Sequence, residues 1–343
     1  MSDKGMRQRI HYIDAIKALT IYLVIVGHLL AIIPGGEWGR ITMDVIYSFH
    51  MPLFMTLSGY FSKSSFSRSF KEFISNKSIT LLLPVVTWTI LISVYSLSVG
   101  NSTERIITEI KGNSWFLKTL FACYVVVYLL KRTKLPDIVA CAASLVFFFV
   151  IPKGCTFQFN WMLSFFWLGY FLQKYCPTIF EHKKLLLFAV PLYAIGLYAM
   201  FKYDCTQVVL ISVDSLSRNW PLVILRYWVS ISGSLTFAGI VCLTYRLIYQ
   251  GKENLIASWG QYTLGIYVMQ TFIVQYLIAD LFRFAINDFI GFILLFIISI
   301  ITCALCISFI QWCSKSYMLD IILFGGQYHK KSSVGSNKLM KKA

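Results

Sequence analysis

Charge is what this sequence has least of: Asp, Glu, Lys and Arg make up 13% of its 343 residues, against roughly 25% in an ordinary soluble domain. With 57% apolar residues and a mean hydropathy of +0.68, that scarcity excludes a soluble fold, which has no means of hiding so much apolar surface. Long polar stretches are missing too. No loop between apolar runs exceeds about 20 residues, so no extramembrane catalytic domain is expected and the chemistry must be intramembrane or interfacial. The amino-terminal region lacks a short apolar core followed by a small-residue cleavage site. Its first apolar run, Ile13 to Ile33, has the roughly 20 residues a bilayer span needs and is expected to be a retained helix. There is no internal repeat and no pair of matching broken helices of the kind that flags many secondary transporters. The nine cysteines are odd in number and sit mostly in apolar runs. Cys303 and Cys306 have metal-ligand spacing but no partner pair, so the thiols are expected to be structural, with no metal and no tightly bound cofactor.

What is present is a series of apolar runs, at approximately 13–33, 44–62, 79–98, 115–130, 137–152, 157–173, 185–201, 222–245, 255–279 and 289–313. They predict an all-α, polytopic integral membrane protein of about ten transmembrane helices. The net charge of +16 would suggest nucleic acid in a soluble protein, but here its distribution encodes orientation and no nucleic-acid partner is expected. With the amino terminus cytoplasmic, the inside segments hold 21 of the 31 Lys and Arg and the outside segments seven, as the positive-inside rule requires. Residues 1–12 are then a cytoplasmic amino-terminal segment, 13–313 the membrane domain and 314–343 a basic cytoplasmic tail, with Lys330 to Ala343 expected to be disordered. Trp38, Trp115, Trp161, Trp220 and Trp259 fall near span ends, where an amphipathic ring sits well at the headgroup level.

An ionisable residue inside a span costs a few kcal/mol on insertion scales and is a functional candidate by default. The first span has three: Asp14, Lys17 and His28. Asp14 and Lys17 are three apart and can pair on one face; Lys17 and His28 are eleven apart, which places them on one stripe about 16 Å apart along the axis. Asp14 and Lys17 either anchor the helix end by snorkelling or face a site. In the second span, Phe49-His50-Met51-Pro52-Leu53-Phe54 leads to Ser58-Gly59-Tyr60. Pro52 removes a backbone donor, and Ser58-Gly59 allows another helix to approach closely. His28 and His50 both fall in the outer half of the membrane, so a shared cavity is geometrically open to them. Lys118, after Trp115-Phe116-Leu117, either snorkels or lines that cavity. Gln270, on the helix that carries Gly265 and Tyr267, is interhelical glue or part of the site. Arg226 is ambiguous in the same way and stays unassigned.

These motifs resemble the integral-membrane acyltransferase family 3, which includes polysaccharide O-acetyltransferases and fucose 4-O-acetylase-like members. Ile13-Asp14-Ala15-Ile16-Lys17 through Gly27-His28 resembles the family's basic residue, ten-residue gap and histidine. The second-span motif, Trp115-Phe116-Leu117, Gly169-Tyr170 and Trp259-Gly260-Gln261-Tyr262-Thr263-Leu264-Gly265-Ile266-Tyr267 follow in the family's order. Lys17 stands where Arg is commoner. Gln270 stands where many members have His, which argues against that position as a base.

The resemblance implies an O-acyltransferase of the cell (inner or plasma) membrane. It would move an acetyl or other short acyl group from cytoplasmic acetyl-CoA, a co-substrate, to a hydroxyl of a cell-surface polysaccharide or lipid-linked sugar. It assigns His28 and His50 to catalysis and Asp14 and Lys17 to donor binding. Pro52, Ser58, Trp115, Lys118, Tyr267 and Gln270 are left to line the site. A His with a pKa near working pH suits proton removal from an alcohol. Any second activity is expected from separate glycan-assembly proteins. The competing expectation is a transporter or flippase of a lipid-linked sugar, in which the same His and Lys bind substrate or relay protons without bond chemistry.

Overall fold

A computed structural model of the chain describes residues 10–33, 35–150, 158–203, 213–279 and 288–329. These residues are 87% helical, with no strand among them. In chain order the helices are α1 (His11–Leu30), α2 (Gly36–Tyr60), α3 (Lys63–Phe66), α4 (Phe70–Lys77), α5 (Leu83–Ser98), α6 (Thr103–Gly112), α7 (Trp115–Arg132), α8 (Asp137–Val150), α9 (Phe159–Tyr175), α10 (Lys183–Lys202), α11 (Val213–Tyr249), α12 (Leu255–Trp259), α13 (Thr263–Phe272), α14 (Asp288–Cys313) and α15 (Tyr317–Phe324). A π-helical turn, Ser78–Leu82, fuses α4 to α5, and a second, Ile273–Ile278, extends α13. Residues 1–9 and the tail expected to be disordered, Lys330 to Ala343, lie outside the described residues.

Among the described residues, five helical stretches are long and apolar enough to cross a membrane: His11–Leu30, Phe70–Ser98, Lys183–Lys202, Leu216–Tyr249 and Phe289–Cys313. At the other expected spans the helices are shorter or more polar. α8 has 14 residues, and α2 carries an Arg40–Asp44 ion pair at 3.6 Å. Apolar side chains line the rim: Val86, Ile90 and Leu97 on α5, Leu187, Phe188 and Ile195 on α10, and Ile293, Ile297 and Ile300 on α14 are all exposed. Together with the composition, these rows describe a membrane protein whose outer surface is solvated by lipid.

Apolar burial drives helix association weakly in lipid, so close van der Waals packing and polar contacts must set the interior. α1 is the axis, packed on α2, α11, α12, α13 and α14. α2 and α9 meet backbone to backbone: a Cβ on Gly59 would lie 2.0 Å from the Phe166 carbonyl oxygen, and one on Gly169 would lie 1.8 Å from that of Thr56. The two glycines of separate motifs are thus halves of one contact. Pro52 leaves the Ser48 carbonyl, four residues back, without its helical donor. The Ser230 hydroxyl of α11 donates to that carbonyl at 2.6 Å, so the interruption in α2 is repaired from a neighbouring helix.

The basic tail expected from residue 314 onward begins as packed structure. α15 folds back on the bundle: the Leu323 carbonyl accepts the Trp88 indole N–H at 3.1 Å, and Asp320 and Tyr328 are buried. The segment around 100–113, expected as an outside loop, contains α6.

Candidate active site

Among the described residues, three cavities along α1 hold the candidate side chains. The largest, about 630 Å³, surrounds the Asp14–Lys17 end of the helix and takes in Ser58, Phe116, Tyr267 and Gln327. The Lys17 ammonium is 3.4 Å from Asp14 Oδ1 and 5.0 Å from the centre of the Phe61 ring. Gly260 makes the wall possible there: a Cβ on it would stand 1.9 Å from the Asp14 carbonyl oxygen. The short helix α12 can therefore press directly onto the backbone of α1, and Gln261 then faces the cavity. Ser58 belongs to this end too, its hydroxyl turned back to the Phe54 carbonyl at 2.8 Å.

Towards the other end of α1, His28, His50, Pro52, Trp115, Trp161 and Arg226 line a cavity of about 230 Å³. His50 Nδ1 is 2.7 Å from the Ile46 carbonyl oxygen. A carbonyl can only accept, so Nδ1 carries the proton, and Nε2 is left as the acceptor nitrogen of the ring. His28 also lines a third cavity of about 230 Å³ with Asn113, Trp115, Thr271 and Gln275. Tyr267 lines all three spaces. Its ring is 5.8 Å from that of Phe116, at the start of α7, in an edge-on contact. The Trp115-Phe116-Leu117 motif therefore meets the tyrosine through the Phe116 ring.

The sequence model of a family described as an acyltransferase domain matches residues 10–310. The chain belongs to this acyltransferase family. It is 27% identical over 306 residues to the nodulation protein NolL of Mesorhizobium japonicum, covering 82% of this chain and 80% of that one. To the nodulation protein NolL of Sinorhizobium fredii it is 28% identical over 203 residues, covering 54% of this chain and 56% of the relative. No solved structure matches it.

In the acyltransferase, the residues singled out from sequence divide between the two ends of α1. Asp14, Lys17 and Ser58 lie at the large cavity, and His28, His50, Pro52 and Trp115 at the small ones, with Tyr267 between. Two go elsewhere. Lys118 donates to the carbonyls of Ile110 and Lys111 at 3.0 and 3.3 Å, capping the carboxyl end of α6 as a cation does favourably. Gln270 is wholly buried, its Nε2 on the Thr271 hydroxyl at 3.0 Å, in the packing of α13 rather than in the walls of the three cavities.

Trp161, expected at a headgroup interface, is buried and lines the small cavity instead. It stacks on Tyr227 at 4.7 Å. Arg226, left unassigned from sequence, is 5% exposed. Its guanidinium lies 5.9 Å from the Trp161 ring centre and 3.6 Å from Met200 Sδ. The signal for it was present in the sequence as a charge within an apolar run; what was missing was the direction in which the side chain points.

Proposed function

We propose that this acyltransferase moves an acetyl or other short acyl group from acyl-CoA to a hydroxyl of a cell-surface polysaccharide or a lipid-linked sugar. It does so in a cell membrane that it crosses about ten times with both termini cytoplasmic. The observation that carries the proposal is the meeting of unlike cavities at one side chain: the large space with Lys17 and the small spaces with His28 and His50 share Tyr267. A transferase with two substrates needs two binding volumes that touch at the reacting atoms. The Lys/Arg bias of the inside segments puts the large cavity on the cytoplasmic side, where acyl-CoA is made.

On this proposal Lys17 attracts an anionic group of the donor, oriented by Asp14, and the thioester reaches Tyr267. His28 takes the proton of the sugar hydroxyl as its oxygen attacks the thioester carbon. The C–O bond forms, the C–S bond breaks, and the proton is passed to the departing thiolate. The Tyr267 hydroxyl, where the three cavities meet, donates to the carbonyl oxygen while that oxygen carries negative charge. His50, with Nε2 as its acceptor, binds a second hydroxyl of the acceptor. The small cavity holds about one sugar ring, and Trp115 and Trp161 give it aromatic faces.

The test is host-glycan mass analysis with and without the protein, combined with release of CoA thiol from acetyl-CoA by purified protein. An acyl-sized mass difference together with thiol release is expected. Movement of a lipid-linked sugar with neither change would replace this proposal with transport. Cysteine labelling should find Lys63–Ser78 and Gly100–Asn113 on opposite sides of the membrane.

A further inference from the structure

The large cavity has a wall built from residues beyond the matched span of 10–310. After α14 the chain enters α15, with the Ser316 hydroxyl at its start accepting from Leu319 N–H, and then reverses through Gly325 and Gly326, both at positive φ. Gly325 N–H returns to the Ile321 carbonyl and Gly326 N–H to that of Asp320, at 2.9 and 3.0 Å. Paired bonds of this kind close a helix by the Schellman motif. The fully buried Asp320 then accepts the N–H groups of Tyr328 and His329 at 2.9 and 2.8 Å. The Tyr328 hydroxyl accepts from Gly265 N–H at 2.9 Å, near the start of α13. So many specific bonds on thirteen residues make a rigid hook rather than a tail.

The hook presents Gln327 to the cavity that holds Asp14 and Lys17. Its Nε2 donates to the Thr80 carbonyl at 3.2 Å, inside the π-helical turn between α4 and α5. One N–H fixes the group; the carboxamide oxygen and the second N–H remain available. Gln261, in the same cavity, is held alike, with Nε2 on the Ser258 carbonyl at 3.3 Å. A space with two anchored carboxamides, an ammonium paired with a carboxylate and mostly apolar walls is suited to an extended chain that carries amide bonds, because a carboxamide pairs an acceptor and a donor with a secondary amide.

We propose that the hook is part of the donor site and that Gln327 recognises the amide-bearing arm of the thioester donor, with Tyr328 as its positioning residue. This rests on the acyl-CoA assignment above. The experiment is steady-state acetyl transfer by the full-length purified protein, with acetyl-CoA varied, for wild type, Gln327→Ala, Tyr328→Phe and the double variant. Monodispersity in detergent serves as the folding control. Gln327→Ala should raise KM for acetyl-CoA between about twofold and tenfold, the range of one neutral hydrogen bond, with kcat unchanged. Tyr328→Phe should raise KM by less. The double variant should match Gln327→Ala alone, since a residue that acts through Gln327 has nothing left to position. An unchanged KM in Gln327→Ala, a loss confined to kcat, or additive losses in the double variant would overturn the proposal. A wild-type protein that fails to use acetyl-CoA or any other short acyl-CoA overturns the donor assignment itself, a failure told apart because no variant is needed to see it.

Discussion

α1 and α10 are twins by sequence statistics, each of 20 residues and equally apolar, yet 67% of the residues in the apolar stretch of α1 are buried and 17% of those in α10. Hydropathy reports which segments leave water; it is silent on whether they enter protein or lipid. What separates the two is where polar residues sit. α1 carries Asp14, Lys17, Thr20 and His28 along its length, groups that lipid does not solvate and that must face other helices or a cavity. In α10 the charged residues Lys183, Lys184 and Lys202 are confined to the ends, where long side chains reach the headgroups. The comparison makes function a property of the buried twin, and it can be broken most directly at His28. His28→Ala should lower turnover by roughly 10²–10⁴, the range for general acid–base catalysis, while acetyl-CoA binding stays near wild type. Near-normal acylation in that variant would return the histidine to helix packing.

The next largest effect is on stability, and it contrasts a glycine in the packed interior with one on the rim helix. A Cβ at Gly169 meets the Thr56 backbone at 1.8 Å, whereas a Cβ at Gly196 of α10 meets a methyl group of Val229 at 2.9 Å. Backbone cannot step aside without moving α2, and a side chain can change rotamer. Gly169→Ala should therefore cost at least the ~1–3 kcal/mol typical of overpacking, and Gly196→Ala the lower end of that range or less. Thermal unfolding of the two variants in one detergent measures the difference. Equal losses would mean that the α2–α9 approach is not the tight contact described.

Much of this site was legible because its physics is local. An Asp and a Lys three apart on a helix meet, and they do, at 3.4 Å. Gly59 announced close approach, and Pro52 announced a carbonyl in need of a donor. What stayed hidden depends on residues distant in sequence. Lys118 caps α6 across a turn, a task invisible while 100–113 reads as a loop. Trp161 carries the same signature as a headgroup tryptophan, and only the packing of α9 beside α11 turns it towards a cavity. The hook at 317–329 reads from sequence as part of a basic tail because five of the six lysines of 314–343 lie beyond it, while its own content, a short apolar helix and two glycines, is too brief to register as a span. The number of spans illustrates the same limit: α2 is long enough, but its Glu37, Arg40 and Asp44 dilute the signal that length and composition provide.

Lys17 offers a smaller effect on the same helix as His28 and so tests whether the two ends of α1 do different work. Lys17→Ala removes a cation from the large cavity and should weaken donor binding about tenfold, the scale of a charged hydrogen bond, with kcat for saturating donor little changed. Lys17→Arg keeps the charge and should retain most activity, although a planar guanidinium presents its donors differently. Isothermal titration with acetyl-CoA and turnover at saturating donor separate the two terms. A loss in kcat alone would place Lys17 with the chemistry and dissolve the division between the ends.

The smallest expected effect is on the rim. Leu187 of α10 is 71% exposed, while Ile25 of α1 is fully buried. In water, trimming either side chain would change how much apolar surface meets solvent. In a bilayer the medium around Leu187 is itself hydrocarbon, so Leu187→Ala exchanges side-chain methyls for lipid chains at almost no cost in free energy. Ile25→Ala instead opens a hole that lipid cannot enter, and the protein atoms around it lose their packing partners, a cost of about 2–5 kcal/mol for such a truncation in a closed core. The measurement is thermal stability of both variants in the same lipid nanodisc, where the rim is covered by a bilayer, with acyl transfer followed in parallel. Leu187→Ala should be indistinguishable from wild type in both, and Ile25→Ala destabilised. If Leu187→Ala proved as damaging as Ile25→Ala, α10 would be buried against a protein partner in the membrane, and its exposed face would have to be counted as interior.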